Sequence, residues 1–207
     1  RSALEQVLAE RPTPAPPRDQ YTFYPNCADV PESAGPSIPG RSYTIAAGVQ
    51  VDTAAAEGVL WAAGGVPGGH SLFVKDGKLQ YTFNWVGSRH QDVVAERPIA
   101  EGSHLFVAEF TASGPSPDPA MPGTAGTLTL YVDDEAVGSG DIVTQPGFFC
   151  LTGDGICVGR DSGSPVSKAY DDTFPFTGGT IDKVVVDVSG DRYVDHEAQV
   201  RGWFAID

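Results

Sequence analysis

The sequence predicts an all-β protein, an antiparallel β-sandwich with a short helix at its C-terminus. Three observations support this fold class. First, 25 Gly and 17 Pro among 207 residues break the chain too often for long helices. Second, about ten short segments have strand patterning, and no helices alternate with them as in a parallel sheet. Third, 41% hydrophobic residues suffice to build a core. The spacing alone does not separate a jelly roll from an immunoglobulin-like sandwich.

Residues 1–20 are predicted to be a linker that arrives from an upstream domain, and residues 21–207 to be the sandwich. Prolines 12, 14, 16 and 17 favour an extended, semi-rigid connection. Residues 21–41, also rich in proline, are expected to be irregular.

The strand predictions rest on alternation of apolar residues and on turn signals. Asp76-Gly77 predicts a tight hairpin, because both turn residues tolerate positive φ. In chain order, the predicted strands are a run through Tyr43, Ile45, Val49 and Val51, then Gly58–Ala63, Ser71–Lys75, Leu79–Trp85, Asp92–Ala95, His104–Thr111, a run through Leu128, Leu130 and Val132, then Ala136–Ile142 and Ile181–Val188.

Three further segments complete the prediction. The proline-rich Gly114–Gly123 is expected to be an exposed loop. Arg160–Gly179 is a long polar loop, and such a loop in a compact domain is often functional or packs over a sheet. In Tyr193–Ile206 the apolar residues are spaced for one face of the closing helix.

Charge and hydropathy exclude several function classes. Lys+Arg 13 against Asp+Glu 27 gives a net charge of −14, which repels nucleic-acid phosphates and anionic membranes, so neither is expected as a partner. No apolar run approaches the ~20 residues of a transmembrane helix. No signal peptide is visible, which favours the cytoplasm. Because the chain starts at Arg1, however, it is expected to be a fragment, which leaves the compartment open.

The three cysteines, Cys27, Cys150 and Cys157, do not form a disulfide framework. A local Cys150–Cys157 disulfide across a tight turn is conceivable. Two small, half-buried apolar side chains are the favoured interpretation.

Two groups of residues are candidates for ligand binding. Carboxylates, hydroxyls and glycines crowd into residues 154–165, where Asp154 and Asp161 are candidate Ca²⁺ ligands. Arg160 would oppose a cation there, so a structural role is favoured for Arg160 and Asp161, either as a pair or as an anchor of the loop.

The second group is the aromatic stripe of Tyr81, Phe83 and Trp85 followed by His90, a candidate stacking face for sugar rings. A core role is favoured for this stripe, and Trp85, at the strand end, is its most exposed candidate. No catalytic residue is predicted, because no nucleophile, metal-ligand or phosphate-binding motif is complete.

Several segments carry a family resemblance. SLFVKDGKLQYTFNWVG (71–87) resembles the strand–turn–strand unit of concanavalin A-like and laminin-G-like sandwiches, and GTLTLYVDDEAVGSGDI (126–142) resembles a second hairpin of this kind, with Asp133-Asp134 in place of the usual Asp-Gly. YPNCADVPESAGPSIPGRSYTIAAGV (24–49), GICVGRDSGSPVS (155–167) and PFTGGTIDKVVVDVSG (175–190) are similar to the C-terminal region of large bacterial arylsulfatases.

The resemblance implies a non-catalytic accessory domain with a concanavalin A-like jelly roll. Its implied partner is an upstream sulfatase catalytic domain, with self-association left open. That parent enzyme would carry the calcium and the formylglycine of sulfuric ester hydrolysis. The formylglycine comes from a Cys/Ser-x-Pro-x-Arg motif that this chain lacks, so no cofactor is expected on it.

Two alternatives stay open. The first is an independent glycan-binding module of the lectin or laminin-G type. The second is a sandwich glycoside hydrolase, which needs two carboxylates facing each other across a groove.

Overall fold

The structure, a computed structural model, describes residues 18–146, 154–171 and 173–190. Eleven strands are present in this part of the chain. In chain order they are β1 (Gln20–Phe23), β2 (Tyr43–Val51), β3 (Gly58–Gly65), β4 (Gly68–Lys75), β5 (Lys78–Trp85), β6 (Arg89–Val94), β7 (Gly102–Pro115), β8 (Thr124–Val132), β9 (Glu135–Thr144), β10 (Ile156–Val158) and β11 (Gly179–Asp187). A single 3-10 turn, Glu32–Ala34, is the only helical element within the described residues.

The strands form two sheets that pack face to face. One has six strands in the order β1-β11-β2-β7-β8-β9, and the other has five in the order β10-β3-β4-β5-β6. Every pairing within the two sheets is antiparallel. The predicted antiparallel β-sandwich of the jelly-roll type is therefore confirmed.

The hydrophobic core lies between the sheets and follows the two-residue period of the strands. In β2 the side chains alternate between buried and half-exposed along the strand. Aromatic residues are among the largest buried side chains, and each buries a large apolar area. The largest fully buried side chains include Trp61, Tyr81, Phe73, Phe83, Phe106 and Phe110.

The predicted hairpin between β4 and β5 is present, with Asp76 at φ 52° and Gly77 at φ 69°. The expectation that residues 21–41 are irregular was wrong at its start. Gln20–Phe23 forms strand β1, which pairs with the end of β11. Strand β10 was also missed, since three residues are too few to show an alternation.

The long loop after β10 packs over the five-stranded sheet on the side away from the core. We call residues 159–171 and 173–178 the strap. Tyr170 of the strap packs edge-on against Phe73 of β4 with ring centroids 5.1 Å apart. It also stacks on Phe174 at 5.1 Å. These rings form a second, smaller apolar cluster with Val59 and Ala62. The strap is thus part of the folded domain.

Several predictions fall outside the described residues: most of the linker 1–20, Cys150 and the helix over Tyr193–Ile206. Cys27 is exposed and Cys157 is buried, and both are free thiols. No helix in the described part of the chain is long and apolar enough to cross a membrane.

Candidate functional site

The aromatic stripe of β5 mostly faces the core, as the sequence analysis favoured. Tyr81 and Phe83 are fully buried. Trp85 is half-buried against the core, and its indole Nε1–H donates to the Pro122 carbonyl at 3.2 Å. Because the ring packs inward and its only polar atom is bonded, little of Trp85 is left to stack on a ligand. Its predicted contact with a glycan stays a prediction.

His90 lies on a different surface from Trp85. In the β5–β6 ladder, Trp85 opposes Arg89, and His90 opposes Asn84. Successive side chains of a strand point to opposite faces, so His90 faces the strap. There, burial and the nearby Lys168 lower the pKa of His90, against weaker opposing effects of Val166 and Asp92. The structure therefore does not join Trp85 and His90 into one binding face.

Asp161 anchors the strap. Its carboxylate is completely buried, and Oδ2 accepts hydrogen bonds from the Val166 backbone N–H at 2.8 Å and the Tyr170 hydroxyl at 2.7 Å. Oδ1 has no hydrogen-bond partner. Burial raises the pKa of Asp161 to about 6, since desolvation outweighs the two hydrogen bonds that favour the charged form. A side chain without solvent contact is suited to holding the strap rather than to binding a ligand.

Arg160 links the strap to the loop that follows β1. Its Nε–H donates to Ser162 Oγ at 2.8 Å. Its Nη2 donates to Asp29 Oδ1 at 2.6 Å and to the Cys27 carbonyl at 3.3 Å. Ser162 Oγ also donates to Asp29 Oδ1 at 3.3 Å. We call Arg160, Asp29, Ser162 and the Cys27 carbonyl the Arg160 cluster.

The Arg160 cluster is open to solvent, unlike Asp161. The side chains of Arg160 and Asp29 are 34% and 36% exposed. Tyr24 lies in the same loop as Cys27 and Asp29 and is 55% exposed. In the described ranges of the chain, it is the only aromatic one of the exposed large hydrophobic side chains. Sequence reasoning missed Tyr24, although an aromatic residue followed directly by Pro25 in a turn is a detectable signal.

The two candidate calcium ligands differ in their surroundings. Asp154 Oδ2 accepts a hydrogen bond from Ser164 Oγ at 2.8 Å, and a Cβ added to Gly65 would lie 2.3 Å from that same oxygen. The charge of Asp154 adds to the rise in the Asp161 pKa, so the two carboxylates lie within electrostatic range. Among the residues that the structure describes, no group of three or more His, Cys, Asp or Glu side chains is arranged to hold a metal ion.

Cys157 lies beneath this region. Burial raises the pKa of its thiol, and the charges of Asp29 and Asp161 raise it further. Ser162 acts in the opposite direction through hydrogen bonds. A buried thiol with a raised pKa is a poor nucleophile, so Cys157 serves here as a small apolar side chain.

Comparisons with known proteins give structural neighbours only. No family model matches the chain, and no curated protein matches it. The CBM40 domain of the Ruminococcus gnavus IT-sialidase, in a structure with α2,6-sialyllactose, gives a TM-score of 0.46 at 14% identity over 87% of this chain and 96% of that one. Mouse laminin α1 LG4-5 gives 0.44 at 12% identity over 84% of this chain and 40% of that chain.

Proposed function

We propose that this chain is a non-catalytic glycan-binding module and that Tyr24 and the Arg160 cluster form its contact site. The observation that carries the proposal is that the loop after β1 contains both an exposed aromatic ring, Tyr24, and the solvent-accessible Asp29 that pairs with Arg160. This combination suits a sugar, which has apolar C–H faces and a rim of hydroxyl groups.

The structural support of the site favours binding without much rearrangement. The Val30–Ile156 bridge joins the Tyr24–Asp29 loop to β10, with hydrogen bonds of 3.0 and 2.7 Å. The buried Asp161, next to Arg160 in the chain, accepts hydrogen bonds from Val166 and Tyr170 and so holds the strap in one conformation. Groups held in place in the free protein lose less entropy when a ligand binds, which favours affinity.

A binding experiment tests the proposal. Isothermal titration against a panel of oligosaccharides is expected to give saturable binding for the intact chain. Tyr24→Ala should weaken it by about tenfold or more, because the stacking surface is lost. Val66→Ala is the matched control, since Val66 is 56% exposed in another loop. Equal affinities for the intact chain and Tyr24→Ala would contradict the assignment of the site.

A second candidate function is the C-terminal accessory domain of an arylsulfatase-type hydrolase. It rests on the sequence resemblance of three segments, residues 24–49, 155–167 and 175–190, which contact one another in the fold. Residues 24–49 and 155–167 meet at the Val30–Ile156 bridge and at Arg160–Asp29. Residues 175–190 join them through the hydrogen bond from Phe176 N–H to the Gly159 carbonyl at 2.9 Å. The similarity therefore falls on one structural unit.

This second candidate is tested by reading the coding DNA upstream of Arg1. A Cys/Ser-x-Pro-x-Arg motif in a preceding domain would support the accessory role, and an unrelated domain there would contradict it. The pure chain is expected to show no turnover of an aryl sulfate ester with or without calcium.

A further inference from the structure

Resting on the proposed function, we propose that the Tyr24–Arg160 site selects neutral sugars with two adjacent hydroxyl groups and discriminates against sialylated or sulfated glycans. The feature that leads to this inference is a set of polar atoms of Arg160 and Asp29 that have no hydrogen-bond partner among the described residues.

The atoms without a described partner are the two N–H donors of Arg160 Nη1 and one acceptor, the carboxylate oxygen Oδ2 of Asp29. A guanidinium has five N–H donors. In Arg160, the Nε–H and Nη2 are bonded to Ser162, Asp29 and the Cys27 carbonyl. No described residue accepts from Nη1. Asp29 Oδ1 accepts twice, whereas no described residue donates to Asp29 Oδ2.

A vicinal diol satisfies both unused groups at once. A hydroxyl group is both a donor and an acceptor. One hydroxyl accepts from Arg160 Nη1–H, and its neighbour donates to Asp29 Oδ2. Both hydrogen bonds involve an ionised partner, which makes them stronger than neutral ones. The exposed ring of Tyr24 is then available to the apolar face of the same sugar.

An anionic group does not fit this arrangement. A carboxylate or sulfate offers only acceptors, so it satisfies Nη1 but meets the Asp29 carboxylate with like charge. An anion that displaced Asp29 from Arg160 would also break the ion pair between them. The surroundings add to the repulsion. Asp161 and Asp29 both act on the Cys157 thiol, so the two carboxylates share one region, and the chain carries a net charge of −14.

The experiment compares matched neutral, sialylated and sulfated oligosaccharides by titration calorimetry at one ionic strength. The intact chain is expected to bind the neutral members at least about tenfold more tightly than the anionic ones. One charge-assisted hydrogen bond changes the dissociation constant by about this factor. Asp29→Asn, which removes the like charge and releases Arg160, is expected to weaken neutral binding and strengthen anionic binding. Arg160→Lys, which keeps the charge but loses the planar fork, should also weaken neutral binding.

The outcomes separate the two levels of the proposal. Saturable binding of anionic glycans in preference to neutral ones, abolished by Tyr24→Ala, would overturn the selectivity and leave glycan binding intact. The absence of binding to every member of the panel would overturn the proposed function itself. If Asp29→Asn fails to fold, shown by its circular dichroism melt, the selectivity of the intact chain and of Arg160→Lys still decides the inference.

Discussion

The side chain of Gln91 pairs with both backbone polar groups of Val143. Gln91 Nε2 donates to the Val143 carbonyl at 2.9 Å, and the Val143 N–H donates to Gln91 Oε1 at 2.8 Å. Gln91 lies on β6 and Val143 on β9, which are edge strands of different sheets. A side-chain amide thus takes the place of a neighbouring strand and ties the two sheets together at one open side of the sandwich.

We expect Gln91→Ala to lower the free energy of unfolding by about 1–3 kcal/mol, because two half-buried backbone groups lose their partner. Chemical denaturation measures the change. Gln80→Ala is the matched control, since Gln80 donates only one side-chain hydrogen bond, to the Lys75 carbonyl at 3.0 Å. A loss at Gln91 no larger than at Gln80 would show that the link between the sheets contributes little.

The second prediction concerns the buried carboxyl of Asp161. Its pKa is raised from 3.8 to about 6, so the folded protein binds a proton more tightly than the unfolded chain. Asp161 therefore makes the protein more stable as pH falls from about 6 to about 4, and this contribution is absent above pH 6. The shift corresponds to on the order of 3 kcal/mol across that window.

Asp161→Asn isolates this effect, because an amide oxygen still accepts the bonds from Val166 and Tyr170 but does not titrate. Denaturation at several pH values measures the free energy of unfolding of both proteins. As the pH falls below 6, this free energy should rise for the intact chain relative to the variant. A difference that stays constant between pH 4 and pH 7 would mean that the Asp161 pKa is ordinary. Nuclear magnetic resonance of the labelled carboxyl provides a direct titration.

The strands of this protein differ in how far the sequence alone predicts them. The β4–β5 hairpin was predictable because Asp76 and Gly77 suit positive φ and lie between two apolar runs. Strands β1 and β10 were not, because pairing with β11 and β3 creates them and their own patterns are too short. Arg160 was a candidate from the sequence because it lies among the polar residues 154–165. Its partner Asp29 lies 131 residues away, and no local pattern joins them.

The third prediction concerns three polar side chains inside the apolar core. The Tyr81 hydroxyl lies 2.6 Å from the Tyr43 hydroxyl and 3.1 Å from His70 Nδ1. Tyr81→Phe removes one partner from each of two buried groups, whereas Tyr43→Phe removes a partner from Tyr81 only. At about 0.5–1.5 kcal/mol for each hydrogen bond lost, Tyr81→Phe, which removes two, should be the more destabilising variant in thermal or chemical unfolding. Equal losses would contradict the bridging role of Tyr81.

The same core site gives a spectroscopic check. Burial lowers the pKa of His70 to about 3, so its ring should stay neutral between pH 8 and pH 5 while the protein is folded. The ring resonances of His70 should therefore not shift over that range. Because the unfolded chain binds this proton with an ordinary pKa near 6.5, His70 reduces stability as pH falls below 6.5. Asp161 has the opposite effect, because it raises stability as the pH falls. The two contributions partly cancel in the intact chain, so each must be measured with a variant of that residue.

The last prediction separates backbone strain from packing at two glycines. Gly77 has φ +69°, and the only atom within 4 Å of an added Cβ is Pro98 Cβ at 4.0 Å. Gly77→Ala therefore introduces no clash, and its expected cost of about 1–2 kcal/mol comes from the left-handed backbone alone.

Gly48, in the middle of β2, would place its Cβ 3.7 Å from Asp182 Cβ, an ordinary contact, without a positive φ. Gly48→Ala should be neutral or stabilise the protein by up to about 1 kcal/mol, because glycine weakens a strand interior. Denaturation curves of the two variants measure both changes in the free energy of unfolding. A larger decrease for Gly48→Ala than for Gly77→Ala would contradict the claim that the positive φ, not packing, sets the cost.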